Sequence, residues 1–270
     1  MRFYVSMMLI SIIQITVNAM TATSLKLLNP PIVEAVVDFD CEMPLEFDLA
    51  AMEGKFARAF QDKYPMVRQQ IFQGFQLETT QGVAPKISAG NGLQAIQLFT
   101  TDDKQLVQMR AGGFSFNRLA PYSSLDNYLT EIQNAWQIYI KTVNPKSLRQ
   151  IQLRYVNKLL LPTINGRLDL DDYFTVGPKA PDEERLAFVG FLHQHAMFDQ
   201  LNNNKVNTVI AAQPPEGDKF PVIFDISVQY QRPLEIQQWD SISAALAELR
   251  ELKNLVFKKM LTTKCLNLFQ

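Results

Sequence analysis

Apolar and polar residues alternate from Ile32 to Cys41. Val33, Ala35, Val37, Phe39 and Cys41 fall on one face, and Glu34, Asp38 and Asp40 on the other. A period of two over this length predicts a half-buried strand. The period then changes. Leu49, Met52, Phe56 and Phe60 recur three and four residues apart, Asp48 stands where an N-cap belongs, and Tyr64-Pro65 ends the run. That predicts a helix laid against a sheet. Ile71, Gln73, Phe75 and Leu77 alternate again. A loop rich in Gly, Pro and Ser, Gln81 to Gly92, separates them from LQAIQLFTT, and Asp102-Asp103 turns the chain into a third strand, QLVQMRAGGFSFNRL. Gly112-Gly113 inside that strand predicts a bulge or the close approach of another backbone. Ser124 is a suitable N-cap for a helix with apolar positions Leu125, Tyr128, Leu129, Ile132, Trp136 and Tyr139, which Asn144-Pro145 stops.

The order then recurs. Ile151, Leu153 and Tyr155 alternate in RQIQLRYVNKLLLP, and an acidic connector, Leu168 to Arg185, holds a short helix around Asp171–Phe174. Three strands follow, AFVGFLHQHAMF, KVNTVIAAQ and FPVIFDISVQY. In the last, Val222, Phe224, Ile226, Val228 and Tyr230 face inward, with Asp225, Ser227 and Gln229 outward. Trp239-Asp240 opens a closing helix with Leu246, Leu249, Leu252, Val256 and Met260 on one side. Each half thus reads strand, helix, three strands, helix. The duplication rests on element order, since the residues themselves barely match. Short turns make the strands mostly antiparallel, and the helices are the available cover for one apolar face. The expected fold is α+β: tandem βαβββα units, 25–148 and 149–270, packed as one domain with antiparallel sheet and helices on one side. This is a TBP-like or helix-grip-like arrangement, an analogy that carries no function.

Composition changes little in this picture. The chain has 270 residues, 47% hydrophobic and 20% charged, with 18 Phe, enough to build a packed core. Its net charge of −1 argues against wholesale coating by nucleic acid. Charge is segregated, however. Lys104–Lys158 holds eight basic residues (Lys104, Arg110, Arg118, Lys141, Lys146, Arg149, Arg154, Lys158) against Asp126 and Glu131, a surplus of six cations, while the rest has seven more acids than bases. Such segregation marks either an anionic partner's site or two faces that meet inside the fold. Cys41 and Cys265 lie in apolar surroundings without metal-ligand spacing and read as buried free thiols, which suits a reducing compartment.

Motifs for phosphate loops, dinucleotide folds, nucleophile elbows and zinc proteases are missing from the chain. Candidate anion- or partner-binding residues are Arg110, Asn117, Arg118, Arg154 and Asn157. Arginine's planar fork suits carboxylate or phosphate, and the bland alternative is that these side chains pair with Asp38, Asp40 or Asp225. His193 and His195, two apart on a strand, could share a metal with Asp199 or Asp225, but outward polar residues fit them better. Phe114 and Phe116 could stack bases, although a core role suits their alternation better. The acidic connector lacks calcium-loop spacing.

Four phrases, NPPIVEAVVDF, GGFSFNRLAPY, LRYVNKLLLP and LRELKNLVFKKMLT, together resemble a sporadically distributed bacterial protein family. The resemblance covers Leu25 to Phe269. It implies bacterial origin and one architecture; it brings no activity with it, and the patchy distribution suits a mobile-element or defence association. Family members start shortly before the first phrase. Here Met1–Met20 adds Arg2, an apolar run from Phe3 to Val17, and Val17-Asn18-Ala19 as a small-residue cleavage pattern, a run too short to span a bilayer. The family pattern favours translation from Met20 and a cytoplasmic protein; the alternative is a signal peptide and a secreted or periplasmic one.

The chain therefore reads as a non-enzymatic ligand- or partner-binding module without a cofactor or transmembrane span. The partner stays open between an anionic ligand and a protein, and a homo-oligomer is compatible with either. The alternatives are nucleic-acid or nucleotide recognition through 104–158, and a metal-dependent hydrolase using His193 and His195.

Overall fold

A computed structural model describes residues 27–78, 86–163, 168–179, 185 and 190–270, and for 73–78 and 86–91 the backbone alone. The upstream segment with its signal-like pattern lies outside the described residues.

Among the described residues nine strands form one antiparallel sheet: β1 (Ile32–Glu42), β2 (Met66–Glu78), β3 (Lys86–Phe99), β4 (Gln105–Arg110), β5 (Gly113–Leu119), β6 (Ser147–Pro162), β7 (Leu192–Asp199), β8 (Asn204–Ala212) and β9 (Lys219–Tyr230). Their order across the sheet is β2-β3-β4-β5-β1-β6-β9-β8-β7. The fold is α+β, as the pattern predicts. β1 and β6 pair at the centre, and from that seam each half runs outward through its own last strand to its earliest.

Helices α1 (Glu53–Phe60), α2 (Leu129–Val143), α3 (Trp239–Met260) and the short α4 (Thr263–Leu266) share one core with the sheet. The predicted stripes are the buried ones: Ala35, Val37, Phe39 and Cys41 on β1, Phe56 and Phe60 on α1, Val222 to Val228 at alternate positions on β9. Phe114 and Phe116 are core residues. Trp136 on α2 stacks on Phe39 with ring centroids 4.5 Å apart. Asp48 accepts from the Ala50 amide at 2.9 Å and so caps a 3-10 turn, Ala50–Met52, that leads into α1, whose own N-cap is Met52; Asn144 ends α2 in the left-handed conformation.

Four local expectations differ. QLVQMRAGGFSFNRL is not one bulged strand: it folds back through Ala111-Gly112, so β4 and β5 form a hairpin and the first half has four strands after its first helix. Gly113 is also a close backbone approach, because a Cβ there would run into the Phe39 carbonyl. β3 extends back to Lys86, through part of the predicted loop, because ladder bonds to β2 need only backbone and glycine does not forbid them. Ser124 caps nothing with its side chain; a 3-10 turn, Leu125–Asn127, precedes α2 instead. Among the described residues the acidic connector carries a 3-10 turn, Leu170–Asp172, and no helix of the second half matches α1.

Both thiols are buried and free, and burial pushes each up to about 12. Iodoacetamide at pH 8 is therefore expected to leave Cys41 and Cys265 unmodified in the native protein and to alkylate both in denaturant. Rapid native labelling, read by intact mass, would place them at the surface.

Candidate functional site

The sheet has a helix-covered face and an open one, and the strand registers assign each candidate residue to a side. Arg110, Asn117 and Arg154 are on the open face. Arg110 pairs with Asp38. Asn117 donates to Glu34 Oε1 at 2.8 Å and accepts from Ser115 at 2.8 Å. Arg154 grips Asp225 through Nε and Nη2 at 2.6–3.0 Å. A row of polar side chains, Gln97, Gln108, Ser115, Asp38, Gln152 and Gln229, runs from strand to strand beside them. Several join by hydrogen bonds, as Gln97 to Gln108 at 2.9 Å and Gln229 to Gln152 at 3.0 Å.

Arg149, Lys146 and Lys158 are similarly tied, to Asp40, Glu42 and Glu216. Five of the eight cations in 104–158 therefore have a carboxylate partner, three of them on β1, whose outward alternation put Asp38, Asp40 and Glu42 beside them. The surplus that the sequence shows is in large part neutralised within the fold.

Arg118 and Asn157 point to the helix side, where their registers set them opposite Ala35 and Phe224. The Arg118 guanidinium lies 5.4 Å from the centroid of the Tyr128 ring, with its Nε buried and unbonded among the described residues. It lines an open polar hollow with Gln105 and Glu131, while Glu131 itself holds Lys63 and the Tyr64 hydroxyl at 2.6 and 2.7 Å. Asn157 is buried and donates to the Phe224 carbonyl at 2.8 Å.

Asn157 also opens onto the seam. A cleft of about 450 Å³ lies over β6, between the segment from Tyr122 to Asp126 and the last turns of α3. Its polar lining includes Tyr122, Tyr155, Asn157 and Lys253, with Asp126, Arg250 and Glu251 as further charged groups. The Tyr122 and Tyr155 hydroxyls are 2.8 Å apart, their rings edge to face at 5.5 Å. Burial raises both phenols, Tyr155 to about 12, so both stay protonated at neutral pH. Arg250 Nη1 meets Asp126 Oδ1 at 2.6 Å and so joins α3 to the start of α2.

Lys253 is the exceptional group. It lies one turn after Leu249 and one before Phe257, both buried, and these spacings turn its stem toward the sheet. Its Nζ stands 4.1 Å from the centroid of the Tyr155 ring. Among the described residues no carboxylate lies within ion-pair distance of it. Burial lowers its pKa to about 8, with the Arg250 charge acting in the same direction and Glu251 against.

The sequence reading missed Lys253, although a signal existed: a lysine in step with Leu246, Leu249, Val256 and Met260 on an apolar stripe. A cation so placed either reaches out to water or faces a cavity. Tyr122 and Tyr155 gave no such signal, since only the fold brings them together.

His193 and His195 share a side of edge strand β7, with Nε2 atoms 2.8 Å apart. Burial and the second imidazole lower the His193 pKa. Among the described residues no group of three His, Cys, Asp or Glu is placed to hold a metal, and no helix is long and apolar enough to cross a membrane. Comparison with protein-family models and with curated proteins gave no match to this chain.

Proposed function

We propose that this protein is a non-enzymatic binding module that takes a small anionic, partly aromatic or apolar ligand into the seam cleft. The observation that carries this is Lys253: an ammonium over an aromatic ring, in a cleft of ligand size, with no carboxylate within ion-pair distance among the described residues. Such a group costs stability unless something else uses it, and perturbed titratable groups in clefts concentrate at functional sites. Asn157 and the tyrosine hydroxyls add polar contacts that would orient the ligand. We further read the two halves as copies of one sheet-and-helix unit in a TBP-like or helix-grip-like arrangement. The mirrored strand order supports this, and the binding site then falls at their junction, as ligand sites between repeats commonly do. Bacterial origin and a mobile-element or defence setting come from the resemblance in sequence and stay part of the proposal.

The test uses 8-anilinonaphthalene-1-sulfonate, an anionic aromatic probe, with the natively folded protein. Saturable fluorescence that weakens with salt is expected, and Lys253→Met is expected to weaken binding about tenfold, equivalent to about 1.4 kcal/mol. Equal affinity in wild type and Lys253→Met would reject the reading.

The same variant makes a prediction about stability. Lys253 has a folded pKa below its unfolded one, so its ammonium destabilises the fold at pH values under about 8, and the loss is recovered as pH rises toward the ordinary lysine value. Lys253→Met is therefore expected to raise the melting temperature at pH 7 by ~2–4 °C, for about 1 kcal/mol after allowing for partial solvation. The gap between the two proteins closes between pH 8 and 10. Calorimetry across that range checks it; a Lys253→Met protein that melts lower at pH 7 contradicts it.

A further inference from the structure

We propose that Lys253 is a nucleophilic amine that captures a small carbonyl compound bearing an anionic group, as an imine within the seam cleft. This deepens the reading of the cleft as a ligand site and rests on it. Other lysines are placed differently: Lys158 and Lys264 are ion-paired, and Lys258 and Lys259, a turn further along α3, are exposed. Lys253 alone among these has its stem packed toward the core and its nitrogen inside a cavity.

The groups around it set its chemistry. On α3, Arg250 is a cation one turn away, and Glu251 lies 3.9 Å from Arg250 Nε rather than within ion-pair distance of Lys253. On β6, Tyr155 offers a ring face and a protonated hydroxyl. From the segment before α2, Tyr122 adds a second phenol, and Asp126 is engaged with Arg250. Apolar burial and a neighbouring cation are the two devices that turn a lysine into a nucleophile at neutral pH. With a pKa near 8, roughly a tenth of the side chain is free amine at pH 7, some hundredfold more than for an ordinary lysine. The guanidinium of Arg250, whose nearer partner Asp126 is largely exposed and whose other partner Glu251 stands at 3.9 Å, is available to the anionic group of the ligand.

The step balances without a redox partner. The neutral Lys253 nitrogen attacks the carbonyl carbon, the carbonyl oxygen takes up a proton, and the carbinolamine expels that oxygen as water. One carbonyl compound and one amine give one imine and one water.

The experiment treats the full chain with substoichiometric glyoxylate, which carries both an aldehyde and a carboxylate, in the presence of sodium cyanoborohydride, and maps the reduced adduct by peptide mass spectrometry. Lys253 is expected to be labelled at least tenfold faster than Lys258 or Lys259, with a rate that rises to a plateau about a midpoint near pH 8. Lys253→Arg, which keeps the charge and the fold, is expected to lose that adduct and leave labelling elsewhere unchanged. Propionaldehyde, which has no anionic group, is expected to show much weaker selectivity; equal selectivity would overturn the anionic requirement. Labelling of Lys253 no faster than of Lys258 overturns the capture. Retained binding of the sulfonate probe in that case leaves the binding reading standing, whereas loss of both rejects the cleft as a site.

Discussion

Trp136→Ala is expected to lower the unfolding free energy by about 4–5 kcal/mol, a large share of the roughly 5–15 kcal/mol that a folded domain has to lose. Trp136 is fully buried. Its indole stacks on Phe39 of β1, and the rings of Tyr139 and Phe114 lie 5.5 and 6.1 Å away. Truncation opens a cavity in a place where rings on a helix and two strands hold each other, so little collapse can fill it. A polar cost adds to this. The indole Nε1–H donates to the Ile236 carbonyl at 3.0 Å, in the segment that leads from β9 into α3. Trp136 belongs to the first half and Ile236 to the second, so one side chain both fills the first half's core and fixes the second half's connector. Trp136→Phe keeps much of the stacking but leaves the carbonyl unpaired, and is expected to cost about 1–3 kcal/mol. Urea denaturation measures both. An alanine variant within 1 kcal/mol of wild type would show that the stack does not carry the core.

Gly113→Ala is the second large effect, expected to cost more than about 3 kcal/mol or to prevent folding. Gly113 begins β5, opposite Asp40 of β1. A Cβ there would lie 3.1 Å from the Phe39 carbonyl carbon and 3.3 Å from the Asp40 Cα, with the Phe39 oxygen nearer still. All three are backbone atoms of the central strand, so relief requires parting β1 from β5. Gly112→Ala is the matched control. Its nearest neighbours would be the ends of the Asp40 and Arg149 side chains, at 3.6 and 3.9 Å, which is ordinary contact. Thermal melts of the two variants should therefore differ widely. A Gly113→Ala protein that melts within a few degrees of Gly112→Ala would mean that the two strands can separate locally at little cost.

Much of the fold was legible because alternation reports burial directly. β1, β6 and β9 have one face toward helices and one toward solvent, so a period of two was enough to assign their sides. α1, α2 and α3 announced themselves in the same way through their stripes. The β4–β5 hairpin was harder. The apolar phase slips by one residue between Val107 and Met109 and Phe114 and Phe116, and both an inserted bulge residue and a reversal through a tight turn produce such a slip. The glycine pair marked the place, but could not distinguish a bulge from a reversal.

Candidate residues were legible by type and not by neighbour. Arg110, Asn117, Arg118, Arg154 and Asn157 are close in sequence or pattern, yet the sheet separates them onto opposite faces, and four are occupied by partners from other strands.

The amino-acid pattern alone determined an antiparallel α+β architecture, the core faces of its central strands, the positions of its three principal helices and the burial of both cysteines. Each of these depends on the local period of apolar residues, which is written along the chain. The tertiary structure alone decided which cations are neutralised, that the two halves meet at β1 and β6, and that Tyr122, Tyr155, Asn157, Arg250 and Lys253 share one cleft. Those facts depend on contacts between segments as much as 131 residues apart, from Tyr122 to Lys253. A side chain's charge state and availability are set by what packs against it, and no local pattern encodes that.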